Sequence, residues 1–155
     1  MSDAIRLRAQ GIINLQVGKT PPNFEINKWD GGSLNLYETV KENQYTLLMF
    51  WASWCHKCEQ EMPNIGPMYA KHGYKGFEVV GISLDQVRAT WEKAISDNGM
   101  TWPNVSQLQA WNSPVVADYK VTATPTYFLL DQEGKIVLKP KRYFEVDKFL
   151  NENLK

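Results

Sequence analysis

Cysteine and histidine are scarce in this chain, with only two of each among 155 residues. The two cysteines, Cys55 and Cys58, stand three positions apart. A loop that short restricts an unfolded chain little, so a structural disulfide framework of the secreted kind is excluded. Net charge is absent as well, because seventeen basic residues cancel seventeen acidic ones. No basic field exists to hold nucleic acid, and no acidic field to attract a cationic partner. No apolar run approaches the length of a transmembrane span, and residues 1–10 carry no apolar core of a signal peptide. Low-complexity tracts and internal repeats are missing too. What remains is a mixed-charge globular chain, 43% hydrophobic, of a length that fits one domain.

The cysteines lie in the stretch Trp51-Ala52-Ser53-Trp54-Cys55-His56-Lys57-Cys58. An apolar run, Tyr45 to Phe50, precedes it, and a helical pattern beginning at Glu59 follows. The local reading is strand, tight turn, helix, with a C-x-x-C pair at the turn. A redox dithiol needs that placement, since the thiolate is the nucleophile and a helix N-terminus favours negative charge. The helix end contributes only about 0.3–1 kcal/mol, too little alone to hold a thiolate at neutral pH. His56 and Lys57, both capable of positive charge, and an S–H donated by Cys58 supply the rest. Cys55 is therefore expected to be the solvent-facing nucleophile and Cys58, one turn inside, the resolving thiol. Glu61 shares a helix face with Cys58 and is the nearest carboxylate able to take its proton. The bland alternative for Glu61 is an exposed helix glutamate.

Around this centre the chain reads as alternating strands and helices. Phe24-Glu25-Ile26-Asn27 and Ser33-Leu34-Asn35-Leu36 flank Asp30-Gly31-Gly32 as a hairpin. Tyr45–Ala52 and Phe77–Leu84 are continuous apolar strands of the type buried on both faces. Pro63 and Pro67 withhold two N–H groups from the helix after the cysteines and are expected to disturb it. Asp85 is expected to cap a helix from Gln86 to Asn98, and Thr101–Val105 to form a short strand. Pro114 opens another helix. Thr126–Leu130 and Lys135–Leu138 form a second hairpin around Gly134, and Val146–Leu154 closes the chain as an amphipathic helix. The fold class is α/β, a mixed sheet flanked by helices. Residues 1–15 read as a detachable extension and residues 16–155 as the domain.

Pro125 opens an apolar strand and cannot donate to a ladder there. A cis Thr124–Pro125 bond is inexpensive, and it would present the Thr124 backbone as an edge for a substrate chain. Other chemistries deserve comparison. Cys55, Cys58 and His72 offer three ligands for zinc, short of the usual four, and a copper carrier would want a Met or His cluster. Trp51 and Trp54 read as packing and rim. A peroxidase would carry Thr three residues before a lone reactive cysteine, where this chain has Ala52.

The W-A-S-W-C-H-K-C stretch together with Thr124-Pro125 resembles the thioredoxin superfamily. Cys58-Glu59-Gln60-Glu61-Met62-Pro63, the lead-in Val17 to Phe24, and Leu129 to Ile136 narrow this to the TlpA/ResA-type extracytoplasmic thiol–disulfide oxidoreductases. The resemblance implies a thioredoxin-like fold with an extra N-terminal β-hairpin and a central insertion. It implies a Cys55 nucleophile, a Cys58 resolver, a cis Pro125 and Glu61 as the acid of the site, with Trp54, His56, Lys57, Thr124 and Pro125 meeting the substrate. It implies no metal and no cofactor. Partners would be protein disulfides, apocytochromes among them, and an upstream thiol donor, outside the cytoplasm. Cytoplasmic thioredoxins carry a buried Asp where this chain has Met49, which leaves Glu61 as the acid nearest the dithiol.

Overall fold

A computed structural model describes residues 14–155. The extension proposed at residues 1–15 falls almost wholly outside that range, although Leu15 is buried against the domain. The first elements are a short antiparallel pair, β1 (Glu25–Asn27) and β2 (Ser33–Asn35), as the hairpin pattern requires. Helix α1 (Leu36–Lys41) follows at once, with Asn35 accepting from the Glu38 N–H at its start.

The main sheet has the order β5-β4-β3-β6-β7. Its centre is β3 (Tyr45–Trp51), with six of its seven residues buried. That burial is why its sequence shows no polar alternation. Strand β4 (Phe77–Ser83) pairs with β3 in parallel, and β5 (Asn104–Ser106) pairs with β4 in parallel. On the other side β6 (Thr126–Asp131) runs antiparallel to β3, and β7 (Ile136–Leu138) antiparallel to β6. Gly134 sits at φ +87° in the connecting turn, a conformation a side chain resists. The N-terminal hairpin abuts the β5 edge through a Lys28–Val105 bridge and a Trp29 N–H to Asn104 carbonyl bond of 3.1 Å.

Helices flank this sheet. The long α2 (His56–His72) continues through Pro63 and Pro67. Its buried stripe is Cys58, Glu61, Met62, Ile65, Met68 and His72, the three-to-four spacing of one helix face. α3 (Arg88–Asp97) and β5 form the insertion between β4 and α4 (Pro114–Asp118). α5 (Tyr143–Asn153) packs beside α2, tied to it by His72 Nε2 and Asp147 Oδ1 at 2.9 Å.

Three boundaries differ from expectation. The short strand lies at Asn104–Ser106, and the last helix begins three residues earlier, at Tyr143. The larger correction is Asp85. It does not cap α3, whose N-cap is Val87, because its carboxylate is already engaged elsewhere.

Candidate active site

The end of β3 leads directly into the dithiol. The Cys55 N–H donates to the Ala52 carbonyl at 3.2 Å, closing a turn with Ser53 and Trp54 at its centre. Cys55 is the N-cap of α2, and its Sγ accepts from the Cys58 N–H at 3.1 Å. The sulfur that sequence reasoning placed at the helix start thus sits against a free N–H of the first turn. Cys55 and Cys58 are joined as a disulfide, with Cα atoms 5.2 Å apart. Both are buried, Cys55 at 6% exposure and Cys58 at 2%. The expected contrast of solvent-facing and buried thiols is therefore one of degree in the oxidised state.

The turn is anchored by a residue that sequence reasoning assigned elsewhere. Asp85, 1% exposed, accepts from the Ser53 N–H at 3.2 Å, from the Ser53 hydroxyl, and from the Ser83 hydroxyl at 2.6 Å. Strand register explains the meeting. Trp51 pairs with Ser83 in the parallel β3–β4 ladder, so two residues beyond each partner bring Ser53 beside Asp85. The signal was present in the sequence as two apolar strands each ending in a polar tail, but it needs the register to be read.

Glu61 is 3% exposed, so it is not an exposed helix glutamate. Its carboxylate accepts from the Tyr127 hydroxyl at 3.0 Å, the Tyr143 N–H at 2.9 Å and Arg142 Nε at 2.9 Å. Tyr143 is the first residue of α5, so a side chain of α2 satisfies a free N–H at the start of another helix. Burial, reinforced by the adjacent Glu61 carboxylate, pushes the Tyr127 phenol up and keeps it a donor. The hydrogen bond and charge of Glu61 likewise raise the half-exposed Arg142 guanidinium. Tyr127 lies opposite Met49 in the β3–β6 ladder. The hydroxyl on the cross-strand neighbour of Met49 thus reaches the buried carboxylate of α2. Neither Tyr127 nor Arg142 carried a sequence signal, since one reads as core and the other as a loop cation.

The other expected contacts divide. The Thr124–Pro125 bond is cis. Thr124 and Pro125 line a groove of about 350 Å³ together with Lys57, Glu61 and Arg142. His56 points to solvent and faces Glu59 at 3.6 Å. Trp51 is buried, whereas Trp54 is 55% exposed and lies 6.2 Å from the exposed ring of Trp111, a residue of the insertion. His72 sits at the far end of α2, about 20 Å along the helix from Cys58, and bonds Asp147. It is not brought to the cysteines. Among the described residues no helix is long and apolar enough to cross a membrane.

Residues 17–139 match the AhpC/TSA family. The chain belongs to the AhpC/TSA family. Within it the chain is 29% identical over 123 residues to the thiol-disulfide oxidoreductase ResA of Bacillus thuringiensis strain Al Hakam, covering 79% of this chain and 68% of that protein. It superposes with a TM-score of 0.82 on the thioredoxin domain of a thiol-disulfide oxidoreductase from Bacteroides vulgatus, at 27% identity, over 92% of this chain and all of that one. A thiol:disulfide interchange protein from Bacteroides sp. gives 0.80 at 28% identity, over 90% and 91%. The fold is thioredoxin-like, and this AhpC/TSA member is a thiol–disulfide oxidoreductase with its cysteines in C-x-x-C spacing.

Proposed function

We propose that the Cys55–Cys58 dithiol reduces disulfides of protein substrates, with Cys55 as the nucleophile. The observation that carries this is Cys55 at the N-cap of α2, its sulfur accepting the Cys58 N–H. Those features favour the thiolate at Cys55 over Cys58, which lies one turn inside the helix. The Cys55 thiolate attacks one sulfur of the substrate disulfide, forming a mixed disulfide and releasing the other substrate sulfur as a thiolate. The Cys58 thiol loses its proton and attacks Cys55 Sγ. The second substrate thiol leaves, and the Cys55–Cys58 disulfide carries the two electrons' worth of oxidation. Glu61, one turn on from Cys58 on the same buried stripe, is the proton acceptor for that second step. Thr124 and Pro125 offer a backbone edge for the substrate chain, Lys57 faces it from the groove, and the exposed Trp54 and His56 form the rim.

An upstream thiol donor must return the pair to the dithiol. The resemblance to ResA-type proteins supports an extracytoplasmic location and apocytochromes among the substrates. A peroxidase reading has less support, because Ala52 stands where the peroxidatic Thr is needed and a partner cysteine is already bonded to Cys55.

The test is a trapping experiment. A Cys58→Ser protein should accumulate mixed disulfides through Cys55 when offered a disulfide-bonded protein, and Cys55→Ser should not. Limiting alkylation of the reduced protein near neutral pH should label Cys55 first. Preferential labelling of Cys58 would reverse the assignment.

A further inference from the structure

The chain as a whole is neutral, but the groove lined by Lys57, the residue before Cys58, is not. Three cations line it: Lys57, Lys141 and Arg142. Among the described residues the only carboxylate in its wall is Glu61, which is 3% exposed and already paired with Arg142 at 2.9 Å. Among the described residues no ion pair engages Lys57 or Lys141. Arg142 commits Nε to Glu61 while its side chain stays 54% exposed. Two exposed lysines with no ion pair to their ammonium groups, and the outer part of a guanidinium, therefore surround about 350 Å³ of open space, with the Glu145 carboxylate beside them held by the backbone N–H groups of Lys141 and Arg142. The remaining wall includes Thr124 and the cis Pro125, beside the dithiol's own Lys57.

We propose that this groove selects the substrate by charge, taking an Asp or Glu side chain that lies within about two residues of the reactive cysteine on an extended segment. The inference rests on the reading that Cys55 attacks protein disulfides. Lys57 is flanked by the reactive residues, so a group meeting it cannot be far along the chain from the attacked sulfur. Extended residues advance about 3.3 Å each, so a carboxylate two residues from the attacked sulfur lies about 7 Å along the segment. A carboxylate suits the site because Arg142 and the lysines give donors without acceptors. Exposed charges of this kind act mainly on association rate and are screened by salt.

The test uses the full chain and three synthetic peptides, each holding one intramolecular disulfide and differing only beside one cysteine: Glu, Gln or Lys. The second-order rate of reduction is measured at low salt and at high salt. At low salt the Glu peptide should react about five- to tenfold faster than the Gln peptide, with the Lys peptide slowest. The spread should collapse at high salt. Lys141→Glu should bring the Glu-to-Gln ratio to one or below and raise the Lys peptide relative to both, while Lys141→Arg should keep the original order. Equal rates for all three peptides at low salt would overturn the groove assignment while leaving the disulfide reductase reading intact. Failure to reduce any of them would overturn both.

Discussion

Removing the Asp85 carboxylate should loosen the turn that carries Cys55, and the structure sets the size of the effect. Asp85 is 1% exposed and accepts from the Ser53 N–H, the Ser53 hydroxyl and the Ser83 hydroxyl. Each bond to a charged acceptor contributes about 1.5–3 kcal/mol. The full sum is not lost, because serine hydroxyls rotate to other acceptors and the variant no longer desolvates a carboxylate. The Ser53 N–H has no such freedom. Asp85→Ala should therefore cost about 3 kcal/mol, lowering Tm by roughly 6–12 °C for a chain of this length. Cys55 follows Ser53 by two residues in a turn closed by its own N–H on Ala52. Thiol exchange should thus slow in folded protein well below Tm. The assay is thermal unfolding of the disulfide form, beside the rate of Cys55 alkylation across pH. Ser53→Ala and the double variant complete a cycle, in which the two changes should be strongly non-additive. A Tm within about 2 °C of the parent, or independent addition of the two changes, would refute the anchoring role.

Two further perturbations follow from named contacts. Glu61→Gln should keep an oxygen for the Tyr143 N–H but lose the charge facing Arg142, a small loss in an unfolding titration because Arg142 is solvent-screened; exchange should slow, and an unchanged exchange rate would leave Glu61 a structural cap of α5. For Asp147, burial opposes ionisation, but the His72 hydrogen bond and the nearby Lys71 outweigh it and hold the carboxyl below its usual value. A depressed carboxylate contributes stability above its unfolded value of about 3.9, and that contribution is lost as pH falls through the lower folded value. Asp147→Asn should therefore cost up to about 1 kcal/mol at pH 7 and progressively less as pH falls through the lower folded value, read from denaturant midpoints across an acid series.

Much of the scaffold was legible because burial writes itself into pattern. Strands β3 and β4 are unbroken apolar runs, and both hairpins announce themselves by Gly between short strands. Cys55 at the helix start follows from strand, turn and helix in succession, and the proline opening β6 marked the cis bond. What escaped was what depends on two distant segments meeting. Asp85 looks like a helix cap in its own neighbourhood, and only the β3–β4 register brings it to Ser53. Arg142 looks like one loop cation among several until α5 lies along α2 and sets it over Glu61. Trp111 sits in the insertion with nothing local to connect it to Trp54. Local chemistry was readable, and tertiary pairing of polar groups was not.

A dithiol that reduces other proteins needs a low reduction potential, and that potential is the quantity to measure. Equilibrating the Cys55–Cys58 couple against defined glutathione ratios and counting reduced thiols gives the value. A reductant should give a potential at or below roughly −220 mV, in the range of glutaredoxins and thioredoxin. A value near roughly −120 mV, where the disulfide is a strong oxidant, would contradict it.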